Sequence, residues 1–353
     1  MYSVHLYRIY ETGQEIDIDS LGQVLPHEHM PTRAKFFRVR PRSIQMESPP
    51  LMIKLGVFPA HEGHDSPLFT VQAKIYDIGT ISICLSYESG PESAQDLEKA
   101  GLEMADQGIY DQIYARSVEY LKQLLKPRLD LKGIDVDFYE DYNIYCINRA
   151  DELSDPVPLL MGERVDFSEQ MRSQVLDHRL SYTQDDFAII TWDSALICDP
   201  EDNSDLRDLI EFANVQLLEL RYYDDLINRQ MIKMYDDIET AGAKSSFRKS
   251  RYYKGIISSR MQLIADITEV RERIENLIKI TEDVYYARVY QTTLKVLRCD
   301  QWTESLNRKL QVIQQNYSLL SNQVNIQHSN FLEWIIIILI ALELGYAILD
   351  RLL

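Results

Sequence analysis

The chain has 353 residues, an apolar content of 45% and a formal net charge of -18. That length leaves room for two domains or one large one, and the apolar fraction suffices for a buried core. The acidic balance excludes broad non-specific binding to nucleic acid, while leaving room for a local basic patch.

The chain opens on "MYSVHLYRIYETGQEIDIDS", which has no basic segment followed by an apolar one and is not Arg-rich. It therefore predicts no secretory or organellar presequence. "YSVHLYRIY" is rich in Tyr, Val and Ile and reads as a first strand. "KFFRVRP", "PLMIKLGVF" and "LFTVQAKIYDIGTISICLSYE" continue the strand pattern, with "DIGT" as a hairpin turn in the last of them. From about Ser93 to Leu125 the apolar residues Leu97, Leu102, Ile109, Ile113, Val118, Leu121 and Leu125 recur at three- and four-residue spacing, which predicts a helix ended by Pro127. "VDFYEDYNIYCIN" and "DFAIITWDSALICD" are further strands, and "SDPVPLLMGERVDFSEQ" between them is loop or short helix. Strands with few interleaved helices predict an α+β head over residues 1–200, with a mixed or antiparallel sheet.

The character changes at "CDPEDNSD". Asp205 is placed to cap a helix from Leu206, with acidic residues where the helix dipole favours them. Leu206, Leu209, Ile210, Ala213, Leu217, Leu220, Tyr223, Leu226 and Ile227 repeat at helical spacing. Further helices are predicted over Tyr253 to Ile280 and Glu282 to Cys299, making residues 201–300 an all-helical region. Over 301–330, Leu306, Leu310, Ile313, Tyr317, Leu320 and Val324 alternate spacings of four and three, an a/d seam about three heptads long. Such a coiled-coil-like stalk packs either on its own chain or on a second copy.

The tail, residues 331–353, reads "FLEWIIIILIALELGYAILDRLL". As a helix it is roughly 34 Å long, enough for a hydrocarbon core of roughly 30 Å. Trp334 and Tyr346 stand near its ends as interfacial aromatics do. This predicts a C-terminal transmembrane tail anchor, with a buried core helix as the alternative. Within it Ile335 and Ile338 belong to the apolar run, and Ala341 and Gly345 form a small-xxx-small pair for close helix approach. Glu343 would cost about 2.5–3.5 kcal/mol at mid-bilayer. It lies roughly 200° from Ala341 and Gly345 around the helix, so it points away from that packing face.

Candidate chemistry is sparse. His27, Glu28 and His29, and His61, Glu62, His64 and Asp65, are metal-ligating residue types, but neither group has the helical HExxH spacing. They read as solvated loops, so no metal and no cofactor is assigned. Cys84, Cys146, Cys198 and Cys299 form no CxxC pair, and the three that lie in apolar, strand-like runs read as buried reduced thiols. No GxSxG or Walker-type glycine loop occurs, so no catalytic residue is assigned and the expectation is a non-enzymatic protein. One basic segment, "AKSSFRKSRYYKG", gathers Lys244, Arg248, Lys249, Arg251 and Lys254 around aromatic residues. It is either a solvated connector or a contact for RNA, phosphates or anionic lipid.

"LNRKLQVIQQNYSLLSNQVNIQHSNFLEWIIIILIALE" resembles the C-terminal signature of the "required for meiotic nuclear division" (YagE-like) family, and "LIEFANVQLLELRYYDDLI" resembles that family's preceding helix. The resemblance covers about residues 205–345. It implies membrane association and a large homo-oligomer, with a mitochondrial relative linked to organellar translation, and it brings no catalytic residues. With no presequence, a bacterial inner-membrane protein with a cytoplasmic N-terminal region is expected. The combined expectation is a membrane-anchored oligomeric scaffold supporting translation or membrane-associated assembly. The alternatives are an RNA- or lipid-binding module using residues 244–254 and an enzyme with its site in the head.

Overall fold

The computed structural model describes the chain apart from residues 25–30, 35–43, 47, 62–65, 91–94, 127–133, 150–152, 154, 202, 243–260, 263, 266, 270–271, 273–277, 281–283 and 353. Side chains are likewise described except at 23–24, 44–45, 95, 238–242, 278–280, 320–321, 323–331 and 344–352. The chain forms two compact units, one of Met1–Tyr222 with Glu272–Trp302 and one of Tyr223–Arg271 with Thr303–Leu353.

The first unit is α+β. Its strands are β1 (Tyr2–Glu11), β2 (Thr32–Arg33), β3 (Ile44–Met46), β4 (Leu51–Pro59), β5 (Leu68–Ile75), β6 (Thr80–Glu88), β7 (Tyr139–Ile147), β8 (Arg179–Leu180), β9 (Phe187–Ile190), β10 (Ser194–Cys198) and β11 (Ile278–Ile280). Nine of them make one sheet in the order β2-β4-β5-β6-β1-β7-β10-β9-β8, and β3 pairs with β11 separately. Neighbouring strands in the large sheet run antiparallel except β7 and β10, which are parallel and make the sheet mixed. The predicted hairpin turn joins β5 to β6. There Gly79 has φ +113°, and a Cβ on it would stand 2.5 Å from the carbonyl oxygen of Gln14.

Side chains alternate across a strand, so the register sorts the sheet into two faces. One carries Val4, Leu6, Phe69, Val71, Ala73, Ile81, Ile83 and Leu85, all buried. It is packed under α2 (Gln95–Met104), a 3-10 turn (Gln107–Tyr110), α3 (Asp111–Leu125), α4 (Val157–Met161) and α5 (Glu169–Leu176), whose apolar residues complete the main core, to which α1 (Ile18–Val24) adds Ile18 and Leu21. The helix predicted over 93–125 is thus broken in the middle. Asp106 caps the 3-10 turn by accepting the Gly108 amide at 3.0 Å, a competing local bond that ends α2. Ser168 caps α5 by accepting from the Met171 amide at 3.3 Å.

The other face carries Ser3, His5, Tyr7, Thr70, Gln72, Lys74, Ser82, Cys84 and Ser86, brought together by pairs such as His5–Ser86, Tyr7–Cys84 and Gln72–Cys84. The first part of the long helix α6 (Ser204–Gly242), up to Tyr222 in this unit, lies on it through Asp208, Glu211 and Glu219. From Leu209 to Leu220 α6 is buried all round, so its polar residues need partners. Glu211 accepts from Lys74, Asn214 bonds the Ile210 carbonyl, and Gln216 accepts from Tyr290 of α7 (Val284–Val296). The helix predicted over 253–280 differs from the structure at its end, where Ile278–Ile280 form strand β11.

Arg298, at φ 56°, separates α7 from α8 (Cys299–Leu352). In the second unit Leu306, Leu310, Ile313 and Tyr317 of α8 are buried within the single chain, as are Ile227 and Met234 of α6 and Ile264 and Ile267. Lys309 Nζ lies 2.7 and 2.8 Å from the two carboxylate oxygens of Asp224.

The predicted membrane anchor is overturned. α8 is continuous through the tail, yet among the described residues no helix is long and apolar enough to cross a membrane. Glu333 and Glu343 cut the tail, leaving nine apolar residues, Trp334 to Leu342, between them. At about 1.5 Å per residue that run is about 13 Å, under half of what a span needs. With the span go the membrane partner, the single-pass inner-membrane location and the orientation argued from them. Trp334, Ile335, Ile338, Ala341 and Glu343 are exposed in the chain.

Candidate functional site

Where the polar sheet face meets the start of α6, the first unit carries a partly open pocket of about 890 Å3. β1, β5 and β6 supply His5, Tyr7, Thr70, Gln72, Lys74, Ser82, Cys84 and Ser86, and α6 supplies Ser204, Arg207, Asp208 and Glu211. The α6 residues are one helical turn apart, so they share a face.

Two ionic groups organise this wall. Lys74 Nζ lies 2.7 Å from both Asp208 Oδ1 and Glu211 Oε2. Burial works against its charge, but the two carboxylates outweigh burial and raise its pKa. Arg207 is placed differently. Its Nη1 lies 2.9 and 3.1 Å from the two ring nitrogens of His5, and its Nε is buried with no acceptor. Among the described residues no carboxylate forms an ion pair with it. His5 in turn touches Ser86 Oγ at 2.9 Å and Ser3 Oγ at 3.0 Å. Burial first, and then the Arg207 charge, hold its pKa well below the ordinary 6.5, so the imidazole is neutral and accepts from the guanidinium. The remaining candidate nucleophile is silent: burial pushes the Cys84 thiol up to about 11.

A second polar group belongs to the opposite face. Arg8 binds Asp141 through Nε (2.7 Å) and Nη2 (2.8 Å) and Asp111 through Nη1 (2.6 Å). Its guanidinium lies 4.4 and 4.2 Å from the ring centroids of Tyr114 and Tyr139. Bidentate pairing and cation–π stacking satisfy it on all sides, so it reads as structural.

A third is a pair of buried acids. Thr80 Oγ1 donates to Glu219 Oε1, and the Gly13 amide donates to Glu11 Oε1 at 2.8 Å. The Oε2 atoms of both acids are buried without a donor. Burial raises Glu11 to about 7, and burial together with the Glu11 charge raises Glu219 well above 4.5. Two carboxylates this close hold a proton between them.

None of the residues singled out from the sequence lines the cavity, except that Cys84, read there as a buried thiol, does so. Lys244, Arg248, Lys249, Arg251 and Lys254 lie outside the described residues, as do His27, Glu28, His29, Glu62, His64 and Asp65. His61 is exposed, and among the described residues no group of three metal-ligating side chains gathers. Of the seam, Leu320 and Val324 lie outside the described side chains, as do Gly345 and Tyr346 of the tail. The cavity residues His5, Lys74 and Arg207 went unnoticed, although period-two polar runs announce them: Ser3-x-His5-x-Tyr7, Thr70-x-Gln72-x-Lys74 and Ser82-x-Cys84-x-Ser86.

A protein of Methanocaldococcus jannaschii described as "Uncharacterized protein MJ0711" is 26% identical over 231 residues, covering 62% of this chain and 69% of its own length. No solved structure matches the chain. These matches overturn the resemblance to the "required for meiotic nuclear division" family. That resemblance rested on residues 205–345, where helical periodicity and an aliphatic run recur in unrelated helices, whereas the family match falls on the sheet. Residues 1–205, more than half of the chain, match the family model described as "Uncharacterized protein MJ0711, N-terminal domain", and the chain belongs to that family.

Proposed function

We propose that the first unit is a small-molecule-binding domain whose ligand sits between the sheet and α6. The observation that carries this reading is a pocket of about 890 Å3 whose walls mix polar and apolar groups, within the roughly 300–1,000 Å3 range of ligand sites. A sheet face covered by a helix is ordinarily apolar, because packing there excludes water. Here polar strand side chains, among them His5, Thr70, Gln72, Lys74, Ser82, Ser86 and Glu88, face the space instead.

Binding is favoured over catalysis by the neighbour of His5. A general-base histidine is helped by a carboxylate that stabilises the imidazolium. Arg207 stands beside His5 and opposes that ion. The test is native mass spectrometry of the full chain purified from its own cell extract, beside a cavity-filling Gln72→Trp variant of unchanged circular dichroism. A small-molecule adduct present in the wild type and missing in the variant supports the reading. An adduct retained by the variant, or none in the wild type, rejects it.

A second reading is supported by α8. Ile335, Ile336, Ile337, Ile338, Leu339 and Ile340 are 37–59% exposed, and six consecutive positions cover every side of a helix. We propose that further copies of this chain surround this run in a homo-oligomeric scaffold, since a contiguous apolar surface of this kind marks an association site. Light scattering on the full chain and on a variant with Ile336 and Ile338 changed to Gln decides it: equal masses reject the oligomer.

A further inference from the structure

We infer that the cavity is an oxyanion site, and that its ligand is a hydroxyl-bearing molecule with one phosphate or carboxylate group seated on Arg207. The inference rests on the small-molecule reading above and adds the chemistry of the ligand.

Three cations line the cavity: Arg33, Lys74 and Arg207. Arg33 is engaged by Asp19 and by the Pro49 carbonyl at 2.7 Å. Lys74 is engaged by Asp208 and Glu211. Arg207 alone faces a neutral partner, the His5 ring, through Nη1. An arginine keeps its charge under all protein conditions and offers five donors in a planar fork. Burying such a group against an imidazole leaves donors unmet, and Nε is one of them. Unmet buried donors are costly, and a bidentate oxyanion is the acceptor that fits the fork.

The position of Arg207 adds a second reason. It lies in the first turn of α6, a helix of 39 residues starting at Ser204. The helix dipole disfavours a cation at that end and favours an anion. An oxyanion on Arg207 offsets both the unmet fork and the misplaced charge. Of the three acids that line the cavity, Asp208 and Glu211, the two on α6 beside Arg207, are both held by Lys74, and Glu88 is the last residue of β6.

The rest of the space describes the remainder of the ligand. At about 890 Å3 the cavity exceeds a bare phosphate, and Thr70, Gln72, Ser82 and Ser86 line it with hydroxyl and amide groups. These donate to and accept from hydroxyls. A sugar phosphate or sugar acid has that distribution of groups.

The test is calorimetric titration of the full chain with inorganic phosphate, ribose 5-phosphate, gluconate and ribose. The comparison set is wild type, Arg207→Lys, Arg207→Gln, Gln72→Trp, and a variant with Lys244, Arg248, Lys249 and Arg251 changed to Gln. The expected result is binding of an oxyanion probe, weakened about tenfold in Arg207→Lys, lost in Arg207→Gln and Gln72→Trp, and unchanged in the fourfold variant. Arg207→Lys keeps the charge, so it remains informative if Arg207→Gln does not fold. Oxyanion affinity that survives Arg207→Gln, or that disappears only in the fourfold variant, overturns the inference. Ribose binding as tightly as the anions, with loss in Gln72→Trp, overturns the oxyanion while leaving a ligand cavity. Binding indifferent to Gln72→Trp overturns the cavity reading itself, and no binding of any anion overturns the inference outright.

Discussion

Replacing Glu219 with glutamine should stabilise the fold at neutral pH and leave it nearly unchanged in acid. Glu219 is 0% exposed and accepts from Thr80, with the Glu11 carboxyl beside it. Burial and the Glu11 charge raise its pKa well above 4.5. In the unfolded chain it ionises near 4.5, so between that pH and its folded pKa the native state binds one more proton than the unfolded state. Stability from this group is therefore fully present below about 4.5 and falls as pH rises. Between the two pKa values each pH unit costs the fold about 1.4 kcal/mol. Glutamine keeps the acceptor for Thr80, presents an amide donor to Glu11 and has no proton to lose. Urea unfolding of wild type and Glu219→Gln at pH 5, 6 and 7 should show a difference that grows with pH, by up to about 1.4 kcal/mol per unit. A difference that stays constant with pH means Glu219 is ionised in the fold, and the shared-proton account of the pair is then wrong.

The His5 ring predicts the opposite limb. Its folded pKa is lowered below 6.5 by burial and by Arg207, so the unfolded state binds the extra proton and stability falls as pH drops below about 6.5. His5→Gln should flatten that limb in thermal melts between pH 5 and 7, and parallel melting curves would contradict it. Lys74→Met strands Asp208 and Glu211 and should cost about 3–5 kcal/mol in urea unfolding. Lys74→Met combined with Glu211→Leu should recover much of that, and a double variant as unstable as the sum of its parts would show that the ion pair is not what holds α6 there. Gly79→Ala places a Cβ 2.5 Å from the Gln14 carbonyl oxygen at a φ of +113° and should cost about 2 kcal/mol or more. A melting temperature equal to wild type would mean that the β5–β6 turn relaxes freely.

Much of the fold follows from pattern. Alternation in "YSVHLYRIY" and "TISICLSYE" marks β1 and β6, and "DIGT" marks their neighbouring turn because φ near +113° demands glycine. The periodic residues Leu206, Leu209, Ile210, Ala213, Leu217 and Leu220 are all buried on α6. The tail misleads for a physical reason. Nine apolar residues between two glutamates have the hydropathy of a span over a short window and lack its length. The family resemblance fails alongside it, since it was read from those same helical segments.

The site is the part that local pattern leaves open. Polar residues at every second position of β1, β5 and β6 specify one polar sheet face, and taken alone such a face belongs against water. More than a hundred residues later, α6 covers it. Only that long-range packing turns Lys74, His5 and Arg207 from separate residues into one cavity wall. The same packing puts Glu219 against Glu11, 208 positions away in the chain. Strand and helix periodicity arise from neighbours within a few residues, so they are written in any short segment. What a face meets, and so whether a polar group is solvated, paired or waiting for a ligand, depends on which distant element closes over it.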